Sequence, residues 1–207
     1  MSKLRTILFY FAKLLKKIQI AAIENSNIHP SSVVCSQSQL FNTNVGRYTY
    51  IGNGCSLIEV EIGMFCSIAD GVIIGGGSHP LDWVSTSPVF YKGINILKTN
   101  FAIHEYDPFK ITKINNDVWI GRNAIIRSGI TIETGAIVGM GAVVTKDIGP
   151  YEVWAGNPAK LIRKRFNDDT IKHLLESKWW LWDDEKLREK SGLFNDVNTF
   201  LKKEKKQ

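Results

Sequence analysis

INNDVW-IGRNAI-IRSGIT-IETGAI-VGMGAV-V, residues 114–144, places an aliphatic side chain at every sixth position: Ile114, Ile120, Ile126, Ile132, Val138 and Val144. Ala124, Ala136 and Ala142 stand four residues into three of the rungs, and Gly121 and Gly139 directly follow two of the aliphatics. A helix of 3.6 residues per turn loses such a register within two rungs, and a plain strand has no reason to mark each sixth place. The chain must therefore turn a corner after every short strand. Three corners close a triangular coil, and coils stacked on one another bury one aliphatic per side while hydrogen-bonding to their neighbours.

Working upstream, the register continues through Ile28, Val34 and Leu40, then Val45, Ile51 and Leu57, then Ile62, Ile68 and Ile74. Two steps, Leu40 to Val45 and Leu57 to Ile62, span five residues, so successive coils lack one residue at the same corner. The expected fold is an all-β solenoid, a parallel β-helix of hexapeptide repeats over residues 28–166. An amphipathic helix and lead-in (1–27) precede it, and a C-terminal helix with a basic tail (167–207) follows.

The formal charge of +6 sits at the chain ends: Lys3, Arg5, Lys13, Lys16 and Lys17 near the start, and Lys202, Lys203, Lys205 and Lys206 in the tail. The body is close to neutral and offers no basic face, which argues against nucleic acid as a partner. Cys35, Cys55 and Cys66 have no metal-ligand spacing, and Cys55 and Cys66 occupy inward repeat positions, so all three read as packing residues and no metal is expected. No apolar run approaches the length of a membrane span and no secretory leader is evident, so cytoplasm is the expected compartment. Leu4, Ile7, Leu8, Phe11, Leu14, Leu15 and Ile18 recur at helical spacing opposite lysines. That face is expected to cover the open end of the first coil, with peripheral contact to anionic lipid through residues 1–20 as the alternative.

The repeat breaks at His79 and resumes near Ile114. The intervening loop, about 80–113, carries Trp83, Phe90, Tyr91, Phe101, His104, Tyr106 and Phe109, an aromatic content suited to a binding loop. Its start, Gly75-Gly76-Gly77-Ser78-His79-Pro80, sets an imidazole where regular structure ends, with bare backbone beside it for a substrate's approach. Walker, nucleophile-elbow, zinc-protease and dinucleotide motifs are lacking, which leaves a lone base. One histidine suffices if the electrophile is already activated, as in a thioester. His104 is the second candidate base.

With these pieces in view the chain resembles the hexapeptide-repeat acyltransferases, in the branch of xenobiotic (chloramphenicol and streptogramin) and polysaccharide O-acetyltransferases. The resemblance rests on Ile62-Gly63-Met64-Phe65-Cys66-Ser67-Ile68, Ser78-His79-Pro80, Ser87-Pro88-Val89-Phe90, Asp117-Val118-Trp119-Ile120-Gly121, the 139–147 segment, Gly156-Asn157-Pro158-Ala159-Lys160 and Lys178-Trp179-Trp180-Leu181-Trp182. It implies a left-handed β-helix, a homotrimer, acetyl-CoA as co-substrate in the groove between two subunits, and His79 as general base, its other ring nitrogen held by a carbonyl. It also implies that Trp119, Gly121, Gly139, Ala142, Thr145 and Lys146 line the path of the CoA, with Arg163 and Lys164 near its phosphates. Trp83, Phe90, Tyr91 and His104 are the expected acceptor contacts. The loop is longer than in the antibiotic-modifying relatives, which favours a sugar hydroxyl of a surface glycan as acceptor. An antibiotic hydroxyl is the close alternative, and a noncatalytic scaffold the alternative of another class.

Overall fold

A computed structural model describes residues 3–204; side chains at positions 3–6, 12, 16–18 and 204 fall outside that description. Lys205 and Lys206 of the basic tail, and the side chains of Lys3, Leu4, Arg5, Lys16, Lys17 and Ile18 assigned above to the first helix, therefore lie outside the described residues. The six-residue register becomes three columns of in-register parallel pairs. On the first face Ile23, Leu40, Leu57, Ile74, Ile126 and Val144 are stacked in that order. The second face stacks Ile28, Val45, Ile62, Ile114 and Ile132, and the third Val34, Ile51, Ile68, Ile120, Val138 and Trp154. From Leu40 onward these aliphatics are buried in one continuous core, where each contributes roughly 1.5–3 kcal/mol over its exposed state.

The inward position two residues before each aliphatic holds Val60, Val72, Val118 or Ile130 in some rungs and a small residue in the others, and in the first coils it is a hydroxyl that does more than fill space. Ser38 Oγ donates to the Gly52 carbonyl at 2.7 Å and accepts from the Cys55 amide at 3.1 Å, so it joins two coils inside the corner. Thr49 does the same with Gly63 and Cys66. Further along, Ala124, Ala136 and Ala142 take this place and are fully buried. Cys55 and Cys66 lie in the same columns as free thiols, 1 % exposed, and burial pushes the Cys66 thiol up to about 12.

The five-residue steps have a plain geometry. Strands Gln39–Val45 and Ser56–Ile62 run through from the first face to the second, bending at Asn42 and Glu59, both left-handed (φ +48° and +57°). Asn25 (φ +44°) makes the same bend between Ile23 and Ile28, so the solenoid begins at strand Ala22–Glu24, earlier than the aliphatic register suggested. That strand, and not the helix, lies over the first complete coil. Helix α1 (Lys3–Ile18) leaves Ile7, Leu8, Phe9, Tyr10, Phe11, Leu14 and Leu15 all about half exposed or more, so its apolar side does not cap this coil. None of the described helices is long and apolar enough to cross a membrane.

At the far end the chain leaves the last coil through an antiparallel hairpin, Glu152–Gly156 paired with Ala159–Lys164. The C-terminal helix is in fact three: α2 (Asp168–Ser177), α3 (Asp184–Lys190) and α4 (Val197–Glu204). Asn167 caps α2 by accepting from the Thr170 amide, and Asp183 caps α3 in the same way, which restarts the helix after the tryptophan turn. Trp179, Trp180 and Trp182 are packed with Tyr151 and Phe200 in a second core against the corner between the second and third faces. Arg47 binds this layer to the coil through the carbonyls of Trp180 and Trp182. These tryptophans are packing residues.

Candidate active site

In the third coil Gly76 takes the place of Asn42 and Glu59 at the five-residue corner, two positions past the first-face aliphatic, but the chain leaves here and does not turn onto the second face. It returns at strand Thr112–Ile114, so Thr112 and Lys113, expected in the loop, belong to the coil. Gly75 (φ +77°) pairs with Ile58, and a Cβ on it would lie 2.0 Å from the Ile58 carbonyl oxygen. Its bareness serves the close approach of two coils, not the approach of a substrate.

The two legs of the excursion are fastened at their base. Ser78 donates from its amide to the Pro108 carbonyl at 2.8 Å, and its hydroxyl lies 3.1 Å from the same oxygen and 3.1 Å from the Tyr106 hydroxyl. His79 comes next, exposed, and carried by this fixed stem. Behind it the loop folds into an aromatic cluster. Tyr91 packs on Tyr106 (centroids 5.2 Å), Trp83 (6.3 Å) and His79 (6.5 Å), and Trp83 stands edge-on to His104 (5.6 Å) and Tyr106 (5.8 Å). The Tyr91 backbone is held by a bridge to His104 and by the Asn100 side-chain amide, which donates to its carbonyl at 2.6 Å.

Tyr91 is only 7 % exposed, and burial raises its phenol above the usual range. Little of its ring is open to an acceptor, contrary to expectation; its hydroxyl instead lies 3.4 Å from His79 Nδ1. The expected carbonyl at that nitrogen is replaced by this phenol. Trp83, Phe90 and His104 do border open space, a cleft of about 720 Å³ rimmed by Asp82, Ser85 and Glu105. Ser78 and Tyr106 were absent from the candidate set; the one sequence signal for Ser78 was its place beside His79, and for Tyr106 its place in an aromatic-rich loop.

The residues expected along the CoA path occupy two different edges of the prism. Thr145 and Lys146 follow Val144 on the first face, so Lys146 stands in the corner column of Gly76, two coils on and roughly 10 Å away at the usual strand spacing. Trp119, half exposed, projects from the third face, and Gly121 and Gly139 lie at the corner between the third face and the first. A Cβ on Gly121 would lie 2.5 Å from the Met140 amide nitrogen, and one on Gly139 would lie 2.9 Å from the Ala155 side chain, so close coil packing accounts for both. Ala142 is fully buried and its side chain cannot touch a ligand on the surface. Arg163 and Lys164 are exposed on the exit hairpin, where Lys164 pairs with Asp168 at 2.5 Å.

Residues 111–146 match the family model described as bacterial transferase hexapeptide (six repeats). The chain is 46% identical over 143 residues to a chloramphenicol acetyltransferase of Agrobacterium fabrum (strain C58 / ATCC 33970), covering 68% of each chain. It is 38% identical over 168 residues to a probable macrolide acetyltransferase of Lysinibacillus sphaericus, covering 76% of this chain and 90% of that protein. In fold it resembles AntD, an N-acyltransferase from Bacillus cereus, with a TM-score of 0.57 at 20% identity over 80% of this chain and 96% of the other.

Proposed function

This chain belongs to the bacterial hexapeptide-repeat transferases and is an acyltransferase working by acetyl transfer, and on that premise we propose that it moves the acetyl group of acetyl-CoA to a sugar hydroxyl, with His79 as general base. The observation that carries the reading is the position of His79 on a stem fastened through Ser78, against Tyr91 of the aromatic cluster and three residues past Gly76, whose corner column also holds Lys146. The acceptor oxygen attacks the thioester carbonyl while its proton passes to a ring nitrogen of His79. The tetrahedral intermediate then collapses, and the departing CoA sulfur recovers that proton as the thiol.

The active unit in this proposal is a homotrimer. His79 with Lys146, and Trp119 with its neighbours, stand on separate edges of one prism, and a second copy is what brings the two edges to one ligand. The outward side chains support this. The first and third faces present Ile73, Ile125, Tyr50 and Trp119, each more than 40 % exposed, whereas the second presents Asn44, Glu61, Lys113 and Thr131. Apolar faces of this extent are suited to burial between subunits. Arg163 and Lys164 supply cationic charge for the CoA phosphates in this reading.

A pyranose has an apolar face and a ring of hydroxyls, which fits Trp83 and Phe90 within a rim of Asp82, Ser85, His104 and Glu105. The 46%-identical relative supports a second reading, an antibiotic hydroxyl in the same cleft. Release of free CoA thiol from acetyl-CoA, measured with a panel of glycans and with chloramphenicol, separates them. Preference for chloramphenicol over every saccharide refutes the sugar reading. His79→Ala should lower turnover by about a hundredfold to ten-thousandfold, the size of a lost general base, and His104→Ala by less. Full activity of the first variant refutes the assignment of the base.

A further inference from the structure

The imidazole of His79 can take a proton on Nε2 only if Nδ1 already carries one, so whatever faces Nδ1 selects the competent tautomer. Among the described residues the Tyr91 hydroxyl is the hydrogen-bond partner of that nitrogen, at 3.4 Å. Tyr91 is not a surface residue that drifted there. It is buried to 7 % exposure, wedged between the rings of Tyr106 and Trp83, and its backbone is fixed at both ends by the bridge to His104 and the bond from Asn100. The hydroxyls behind it have a direction. Ser78 Oγ donates to the Pro108 carbonyl, so the Tyr106 hydroxyl donates to Ser78, and both of these protons are engaged within the stem.

The geometry points to Tyr91 as the positioning residue of the base: its phenol oxygen accepts the Nδ1 proton of His79, which leaves the lone pair of Nε2 for the acceptor hydroxyl. This rests on the reading of His79 as the base. When Nε2 takes the proton, the imidazolium keeps Nδ1–H directed at the same oxygen, so the bond strengthens as charge develops. Because burial raises the Tyr91 phenol, it stays neutral across the working range. The role also explains why a tyrosine buried among rings keeps its hydroxyl on the one side where the loop meets the imidazole, and why the long loop is braced so close to its own stem.

The test uses the full-length protein with ¹⁵N-labelled histidine, its His79 signals assigned by their loss in His79→Ala. In the wild type, Nδ1 should carry the proton and Nε2 should not. In Tyr91→Phe, which keeps the ring and its packing, the population should move toward the Nε2–H form. Turnover should fall by about threefold to tenfold, the factor carried by one neutral hydrogen bond, with KM for acetyl-CoA and the thermal midpoint unchanged. An Nε2–H wild type overturns the proposal, as does a tautomer that Tyr91→Phe leaves alone, or a variant whose only change is in KM for acetyl-CoA. The outcomes are separable from the reading of His79 itself. If His79→Ala retains acetyl transfer, that reading fails on activity alone, while the nitrogen spectra report the Tyr91 contact independently.

Discussion

Replacing Gly75 by alanine tests whether the glycine run before His79 serves the coil or the substrate. At φ +77° an alanine carries the left-handed penalty of about 1–2 kcal/mol. Its Cβ would also stand 2.0 Å from the Ile58 carbonyl oxygen, a backbone atom that cannot rotate aside. Forcing two coils apart at that point adds a strain of about 1–3 kcal/mol, as in overpacked cores. The sum, roughly 2–5 kcal/mol, is a large share of what holds a domain together. Gly141→Ala isolates the first part of the cost. Gly141 has φ +67°, yet a Cβ there meets nothing within 4 Å, so it carries only the conformational penalty. Thermal unfolding followed by circular dichroism should show a clearly larger loss of midpoint for Gly75→Ala than for Gly141→Ala. Acetyl transfer should fall with the first, because the stem bearing His79 begins at the displaced residue. Equal midpoints for the two variants, or a Gly75→Ala protein of native stability with only a raised acceptor KM, would refute the packing argument and restore the substrate-access reading.

Trp83→Ala and Phe90→Ala should each raise acceptor KM or lower turnover about fivefold to tenfold while sparing affinity for CoA, the value of about 1 kcal/mol of lost stacking; steady-state kinetics at saturating acetyl-CoA checks this. A thiol reagent applied to the native protein at neutral pH should modify Cys35, which is partly exposed, and reach Cys55 and Cys66 only after unfolding, because burial raises both thiols and Cys66 to about 12; peptide mapping reads out the sites. Deleting residues 1–20 removes an apolar helix side that this chain leaves uncovered, and light scattering should show the proposed trimer weakened before turnover per site declines. A truncated protein that stays trimeric and active but no longer sediments with anionic vesicles would assign the helix to a lipid surface instead.

How much could be read in advance follows from the range of the forces involved. The coil was legible because one buried aliphatic per strand leaves a period in the chain, and even the missing corner residue after Leu40 and Leu57 was visible as a shortened step. His79 was legible because it stands where that period stops. What the sequence left open depends on contacts between residues far apart along it. Nothing local says that Gly75 is bare for Ile58, that Ala142 points inward beneath a surface its neighbours share, or that α1 leaves its apolar side open. The expected single C-terminal helix became three because the stop at the tryptophan turn and the restart at Asp183 are set by packing around Tyr151 and Phe200. Periodicity, then, determined the solenoid, its corners and the place of His79. Only the folded loop brought Tyr91 to Nδ1 of His79, since twelve residues without a repeat carry no register from which a distance could be inferred.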